Sequence, residues 1–263
     1  MKALLRRLVP IFALCLVLGL SSGLGGCATI RSFNSSLMAE NTGPTTERSD
    51  PWERFNRAVF GFNEVVDAAV VRPVAEVYRS LVPRWVRTSI DNVFGNVGDV
   101  WSTANLILQF KPRLALEMGM RVATNTVFGF GGILDVAEEV GLERHYEDFG
   151  QTLGVWGVRS GPYLMLPFLG PSTLRDAVSR FSVDSQFSPE RLALRERRDR
   201  NSAFALEALQ VRVELLNASR ILEDVALDKY IFLRDAYLAR RRNQIYDGEP
   251  PEDKPPAEKP AIK

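Results

Sequence analysis

The sequence predicts an all-α fold, and three observations point there. Apolar residues recur at helical spacing along most of the chain, the period of one helix face rather than the alternation of a strand. Proline beside an acidic or polar residue opens several of those stretches, as it does at helix starts. Alternating runs joined by hairpin turns are missing, and so is any internal repeat. With 263 residues, 46% hydrophobic and 25% charged, the chain can bury a core without disulfide staples. This composition excludes a collagen, a disulfide scaffold and a wholly disordered chain. A net charge of +1 gives no overall attraction for nucleic acid.

The first segment is an address rather than part of the fold. Lys2, Arg6 and Arg7 precede an apolar run of 13 residues, 8–20, interrupted by Pro10. That run is too short for a bilayer, which takes about 20 residues, and has the form of an export signal. It ends in Leu24-Gly25-Gly26-Cys27, similar to the bacterial lipobox, whose small residues lie extended in a peptidase cleft and whose cysteine is acylated. Residues 1–26 are expected to be removed and Cys27 to carry the lipid anchor. Cys15 leaves with the signal, and the remainder has 30 Lys and Arg against 32 Asp and Glu, a net −2. Two or more acyl chains anchor stably, at about 0.8 kcal/mol per buried methylene. Ala28, not Asp, follows the cysteine; by similarity to lipoprotein sorting in Gram-negative bacteria, this favours the outer membrane.

Residues 27–49 read as an acylated N-terminus and flexible tether. A helical domain follows over 50–247. Asp50-Pro51-Trp52-Glu53 predicts a helix start, with Asp50 as N-cap. Trp52, Phe55, Val59, Phe62 and Val66 form its apolar stripe, and it should stop near Val71-Arg72-Pro73. Pro83 opens a second stretch, loosened by Gly95 and Gly98, and residues 101–110 read as a separate short helix. From Pro112, two apolar stripes leave Arg113, Glu117, Arg121 and Thr124 as the polar line. A helix so widely apolar is deep core or partly in lipid.

Phe128-Gly129-Phe130-Gly131-Gly132 should break that helix. Residues 145–160 read as loop. Gly161-Pro162-Tyr163 through Pro167 to Gly170-Pro171 is apolar and punctuated by proline and glycine, which excludes a regular central strand or helix. A short helix is expected over 172–180, and a long helical region from Ser188-Pro189-Glu190 to Tyr246 with a break near Asn217. Residues 248–263 read as a disordered, proline-rich tail.

Chemistry finds little support. With one histidine, His145, a Ser-His-Asp hydrolase would rest on that residue with Ser160 or Ser172, and neither serine sits in a nucleophile elbow. The expectation is a surface-loop histidine. No metal-ligand spacing or phosphate cradle occurs, so no metal or cofactor is expected. The arginines at 191, 195, 197, 198 and 200, and those at 240–242, read first as a solvated, salt-bridged helix face, and otherwise as contacts to phosphate head groups or an acidic partner.

At Asp50-Pro51-Trp52-Glu53-Arg54-Phe55-Asn56-Arg57 the sequence begins to resemble the MlaA family, also called VacJ. The likeness continues through Phe62-Asn63, Arg72-Pro73, Asn92-Val93-Phe94-Gly95-Asn96, Asn125-Thr126-Val127-Phe128-Gly129, Gly131-Gly132-Ile133-Leu134-Asp135 and Phe149-Gly150-Gln151-Thr152. It is strongest at Gly161-Pro162-Tyr163, Leu166-Pro167 and Gly170-Pro171-Ser172, and covers about residues 50–246. The resemblance implies a ring of amphipathic helices around a central channel, lying in the inner leaflet of the outer membrane and lipid-anchored from the periplasmic side. It implies a non-enzymatic function: removing misplaced phospholipids from the outer leaflet and passing them to a soluble periplasmic carrier, in association with a trimeric porin. It also implies a mobile apolar hairpin beside the channel, assigned to residues 128–132, with Phe128 and Phe130 as its apolar contacts. The rival readings are a non-transporting, porin-associated structural lipoprotein and a lipid hydrolase.

Overall fold

Helices make up most of the described chain, which in this computed structural model comprises residues 50–187, 194 and 196–251. Cys27 with the signal and tether, Arg191, Arg195 and the tail beyond residue 251 lie outside the described residues. Everything described belongs to one compact unit, Thr46–Asp253.

Helix α1 (Glu53–Val66) begins as predicted but without an Asp50 cap. Asp50 is buried and turned inward, where Asn56 Nδ2 donates to its Oδ1 at 2.7 Å and the Tyr230 hydroxyl donates to its Oδ2. The chain does not stop at Pro73. A π-helical turn, Asp67–Val71, leads directly into α2 (Arg72–Leu81), whose first turn holds the proline. A proline needs no hydrogen-bond acceptor there, and the wider turn absorbs the register shift.

Helix α3 (Arg84–Leu108) is one helix of 25 residues, not two. Gly95 sits mid-helix because the Arg144 guanidinium crosses it: a Cβ there would lie 2.7 Å from Nη1. Close approach outweighs the roughly 1 kcal/mol propensity cost of glycine. After Phe110, α4 (Pro112–Val127) starts on its proline as expected. The short α5 (Val136–Glu139) is capped by Asp135. Where a loop was expected, α6 (Phe149–Val155) forms, its Asp148 cap accepting from the Gln151 N–H at 2.9 Å.

The fold is all-α as expected but for the Gly-Pro segment, where the expectation of no regular strand is corrected. It forms an antiparallel hairpin of β1 (Tyr163–Leu166) and β2 (Gly170–Thr173), in the register Tyr163–Thr173, Leu164–Ser172, Met165–Pro171 and Leu166–Gly170. Helix α7 (Leu174–Ser179) then starts on a Thr173 cap, two residues later than expected. A second π-helical turn, Arg180–Asp184, and the one-turn α8 (Ser185–Phe187) follow. The long helix α9 (Arg197–Val225) passes through Asn217 unbroken; the break falls before α10 (Lys229–Ile245), which Asp228 caps.

Apolar burial is divided into small clusters. Ala75, Val213 and Leu216 join α2 to α9, and Leu106, Ala115 and Met118 join α3 to α4. Tyr163, Met165 and Tyr230, with Val59, Phe60 and Tyr237 against them, seat the hairpin on α1 and α10. At about 1.5–3 kcal/mol per fully buried large side chain, these clusters are modest. Between them the interior is polar.

Candidate functional site

In α1 an asparagine faces inward while most of the large aromatic side chains of the predicted stripe face outward; Phe60, off that stripe, packs on the core. Asn56 is fully buried, while Trp52, Phe55 and Phe62 are 44%, 55% and 46% exposed. Helix α4 repeats the pattern: Arg121 and Asn125 are buried, and Leu116, Met120 and Val127 are exposed. Thus of the two stripes predicted on α4, that of Leu116, Met120 and Val127 faces out and that of Leu114 and Met118 packs inward on α3, while Arg121 of the polar line lies in the protein interior. Three exposed phenylalanines, Phe110, Phe130 and Phe168, occupy connecting turns with positive φ (59°, 54° and 64°). That conformation costs a bulky residue on the order of 1–2 kcal/mol. Exposed apolar surface of this extent marks contact with a partner or a membrane. Among the described residues no helix is long and apolar enough to cross a membrane.

The glycine turn after α4 is closely held. The Gly132 N–H donates to Asn125 O at 2.9 Å and the Leu134 N–H to Gly129 O at 3.0 Å. Asn92 Nδ2 donates to Ile133 O at 3.0 Å. A Cβ on Gly129 would lie 2.2 Å from Leu134 O, and one on Gly132 would meet Asn96 at 2.8 Å. Gly131 has open space around it and φ of 76°. Phe128 and Phe130 project outward, 68% and 76% exposed.

Behind the turn lies a buried charge network. Arg121 donates from Nε to Asp99 at 3.2 Å, from Nη1 to Leu142 O at 2.5 Å, and from Nη2 to Asp135. Arg144 bridges the same two carboxylates, at 3.1 and 3.2 Å. Their titrations diverge. Burial raises the Asp99 pKa against the pull of both arginines. Burial also works against the Asp135 charge, but hydrogen bonds from Asn125 and the Glu138 N–H, with the two arginines, hold its pKa below the usual range.

The hairpin is held by amides. Asn56 Nδ2 donates to Tyr163 O at 3.1 Å, and its Oδ1 accepts from the Met165 N–H at 2.8 Å. One α1 heptad later, Asn63 does the same to Leu166 O (3.0 Å) and the Phe168 N–H (2.9 Å). The two asparagines stand in for a third strand along β1, which a bare two-stranded hairpin needs. Gly161, Pro162, Pro167, Gly170 and Pro171 shape this hairpin, Tyr163 is wholly buried beneath it, and Phe168 at its tip is 74% exposed. The glycine turn rests on α3 and α4, the hairpin on α1 and α10, and among the described residues no hydrogen bond joins the two.

His145 lies in a connection, its Nε2 3.9 Å from Glu117 Oε1. Ser172 is buried in β2 and donates to Thr173 O. Among the described residues, no hydrogen bond joins His145 to Ser160 or Ser172 and no group of side chains could hold a metal ion. One expected surface arginine is internal. Arg241 donates to Asp148 at 2.5 and 2.6 Å and to Asp176 at 3.0 and 3.1 Å, tying α10 to α6 and α7. Glu147 titrates near neutrality: burial pushes it up to about 7 despite a 2.7 Å hydrogen bond from Gln109.

Residues 48–244 match the model of the MlaA lipoprotein family. The chain belongs to the MlaA lipoprotein family. Its relatives include the intermembrane phospholipid transport system lipoprotein MlaA of Escherichia coli K12, 35% identical over 216 residues, 80% of this chain and 84% of that protein. The Shigella flexneri protein of the same name is 35% identical over 222 residues, again 80% and 84% of the two chains. A solved structure described under the structural basis for maintenance of bacterial outer membrane lipid asymmetry matches with a TM-score of 0.68 at 35% identity, over 75% of this chain and all of that one. The likeness recognised in the sequence over residues 50–246 therefore holds. What sequence reasoning missed was the work of the asparagines. They sat within the quoted strings, and a signal was present: asparagine is unfavourable inside helices unless its amide is used.

Proposed function

We propose that this MlaA-family chain is an outer-membrane lipoprotein, anchored through Cys27, that removes misplaced phospholipids from the outer leaflet and passes them to a soluble periplasmic carrier. The observation that carries the reading is the inverted helices, with Asn56, Asp99, Arg121 and Asn125 buried and large apolar side chains exposed. A water-soluble domain does the reverse. Apolar outer faces suit the acyl region of one leaflet, and a polar interior suits passage of a head group that would cross hydrocarbon at high cost. In this reading the helices ring an amphipathic channel, a trimeric porin holds the protein in place, and the chain catalyses no reaction. The relatives' naming in intermembrane phospholipid transport supports the substrate class.

The turn at Phe128, Gly129, Phe130, Gly131 and Gly132 is its gate in this proposal, with the two phenyl rings against lipid. Gly131→Ala is the variant of choice for the gate, because its Cβ meets no neighbour and the φ of 76° biases the turn at a cost of about 1–2 kcal/mol. The decisive experiment measures outer-leaflet phospholipid in cells lacking the protein and in cells complemented with wild type or Gly131→Ala. Accumulation on loss and clearance on complementation support transport. Unchanged outer-leaflet lipid with disturbed porin assembly would favour the structural lipoprotein instead. Full clearance by Gly131→Ala removes the gate and leaves the transporter.

A further inference from the structure

A cavity of about 230 Å³ lies between the first turns of α3 and the middle of α9, lined by Arg84, Arg87, Thr88, Asp91, Gln210 and Glu214, with Val213 at its base. The α3 residues fall at i, i+3, i+4 and i+7 and the α9 residues at i, i+3 and i+4, so each helix presents one face. Two cations and two carboxylates thus surround one small space. Among the described residues, none of the four makes an ion pair within 4 Å, although Arg87 and Asp91 are one turn apart. Gln210 Nε2 occupies the Asp91 carboxylate, donating to Asp91 Oδ1 at 2.9 Å and to the Arg87 backbone O at 2.8 Å. Arg87 Nε turns instead to Val82 O at 3.3 Å.

Such a site selects by charge pattern. A simple anion would meet two carboxylates, and a simple cation would meet two guanidinium groups. A ligand bearing a phosphodiester and an ammonium on a short spacer satisfies both. Arg87 and Asp91 lie one turn apart on the same face of α3, so the phosphate-binding and ammonium-binding groups border the same space. The volume is below the roughly 300–1,000 Å³ of sites for drug-sized molecules, so it admits a head group and excludes acyl chains. Leu81 and Trp85, 75% and 73% exposed, stand at the adjacent α2–α3 turn as an apolar surface for those chains. Burial and then the charge of Glu214 raise the Asp91 pKa, which is the situation a bound ammonium relieves. The Tyr78 hydroxyl, buried without a hydrogen-bond partner, lies in the field of Asp91 and Arg87.

We propose that this cavity binds a zwitterionic phosphodiester head group of the phosphoethanolamine type, with Arg84 and Arg87 on the phosphate and Asp91 and Glu214 on the ammonium. The inference deepens the transport reading by naming its head-group class, and it rests on that reading for the source of the ligand alone. Its test uses the full-length protein in detergent and two arms. The soluble arm titrates glycerophosphoethanolamine and glycerophosphoglycerol by NMR. The lipid arm measures uptake from mixed micelles of phosphatidylethanolamine and phosphatidylglycerol. Wild type is expected to prefer the ethanolamine form at least five-fold. Asp91→Asn keeps the Gln210 hydrogen bond and should abolish the preference while glycerol-form binding holds. Arg87→Gln should weaken both forms about ten-fold, with folding checked by circular dichroism; Arg113→Gln, on the exposed start of α4, should change neither. A preference in both arms supports the site for free and lipid-borne head groups; a preference in the lipid arm alone, lost in Asp91→Asn, supports it with lipid as the source. Equal binding of both head groups in both arms overturns the inference, as does a preference that survives Asp91→Asn. Phospholipid clearance in cells is unaffected by that failure, so the two readings fall separately.

Discussion

The glycine turn after α4 and the Gly-Pro hairpin solve one problem by different chemistry. Both are non-helical, apolar segments with an exposed phenylalanine at positive φ, Phe130 and Phe168. Both have backbone groups satisfied by asparagines projecting from helices, as buried polar backbone requires. The hairpin is held by neutral amides, Asn56 and Asn63, against an aromatic cluster. The turn is backed by Arg121 and Arg144 bridging Asp99 and Asp135. Charge in a buried place is costly unless fully paired, so removing one member should matter more than removing an amide. The difference teaches that the turn's position depends on an all-or-none network, and the hairpin's on separable contacts.

The largest expected effect tests the network. Arg121→Leu leaves Asp99 and Asp135 short of a cation inside the protein and should cost about 3–5 kcal/mol. Chemical denaturation in detergent measures it, with amide exchange at Gly132 and Leu134 reporting the turn. A loss smaller than that of Asn56→Leu reverses the ranking of the two regions.

Asn56→Leu comes next. It strands the Met165 N–H and the Tyr163 carbonyl, each worth about 1–2 kcal/mol, takes one hydrogen bond from the buried Asp50 carboxylate, and should loosen β1 while the glycine turn stays protected. Asn63→Leu, nearer the exposed hairpin tip, should cost about half as much. Equal losses from the two would show that the hairpin is held as one unit, like the turn, and the contrast would collapse.

How much of this could be read in the sequence follows the same division. Helix starts at Pro112 and Glu53, the break at Gly129 and the family likeness were legible, because periodicity and capping are local. The unbroken α3 was not, since Gly95 is explained by Arg144, some fifty residues away. Helix α6 spans seven residues, too short for a period to register. Asp50 resembled a cap, yet its partners Tyr230 and Arg234 come from the other end of the domain. The hairpin was hidden by the prolines and glycines that shape it, and its third-strand surrogate lies on a helix a hundred residues earlier.

A smaller effect separates both regions from a group that titrates near neutrality. Glu147 stands at about 7 in the fold against 4.5 as a free side chain. The folded state therefore binds more protons than the unfolded one between those values, and stability falls as pH rises from about 4.5 to 7. At 1.36 kcal/mol per unit, the swing is on the order of 3 kcal/mol. Glu147→Gln should flatten that slope and match or exceed wild type at pH 8, since its amide can donate to Gln109 Oε1, which is buried without a partner. Denaturation midpoints at pH 5, 6, 7 and 8 give the answer. Neither the turn nor the hairpin should change amide protection across that range; a turn that loosened with Glu147 would tie its network to this site.

The smallest effect expected is at His145. Its ring is 30% exposed and stands 3.9 Å from the Glu117 carboxylate. Exposed pairs of this kind contribute about 0–1 kcal/mol. The residue's closest link is through its backbone, whose N–H points to Met118 Sδ at 3.3 Å, and substitution leaves that intact. His145→Ala should therefore unfold within about 0.5 kcal/mol of wild type and clear outer-leaflet phospholipid at the wild-type rate. The measurement bears on the two regions because His145 sits in the connection next to Arg144, one of the two cations behind the glycine turn. A folded, normally abundant His145→Ala protein that no longer clears lipid would show that this connection does more than carry Arg144, and would return a hydrolase using the chain's single histidine to consideration.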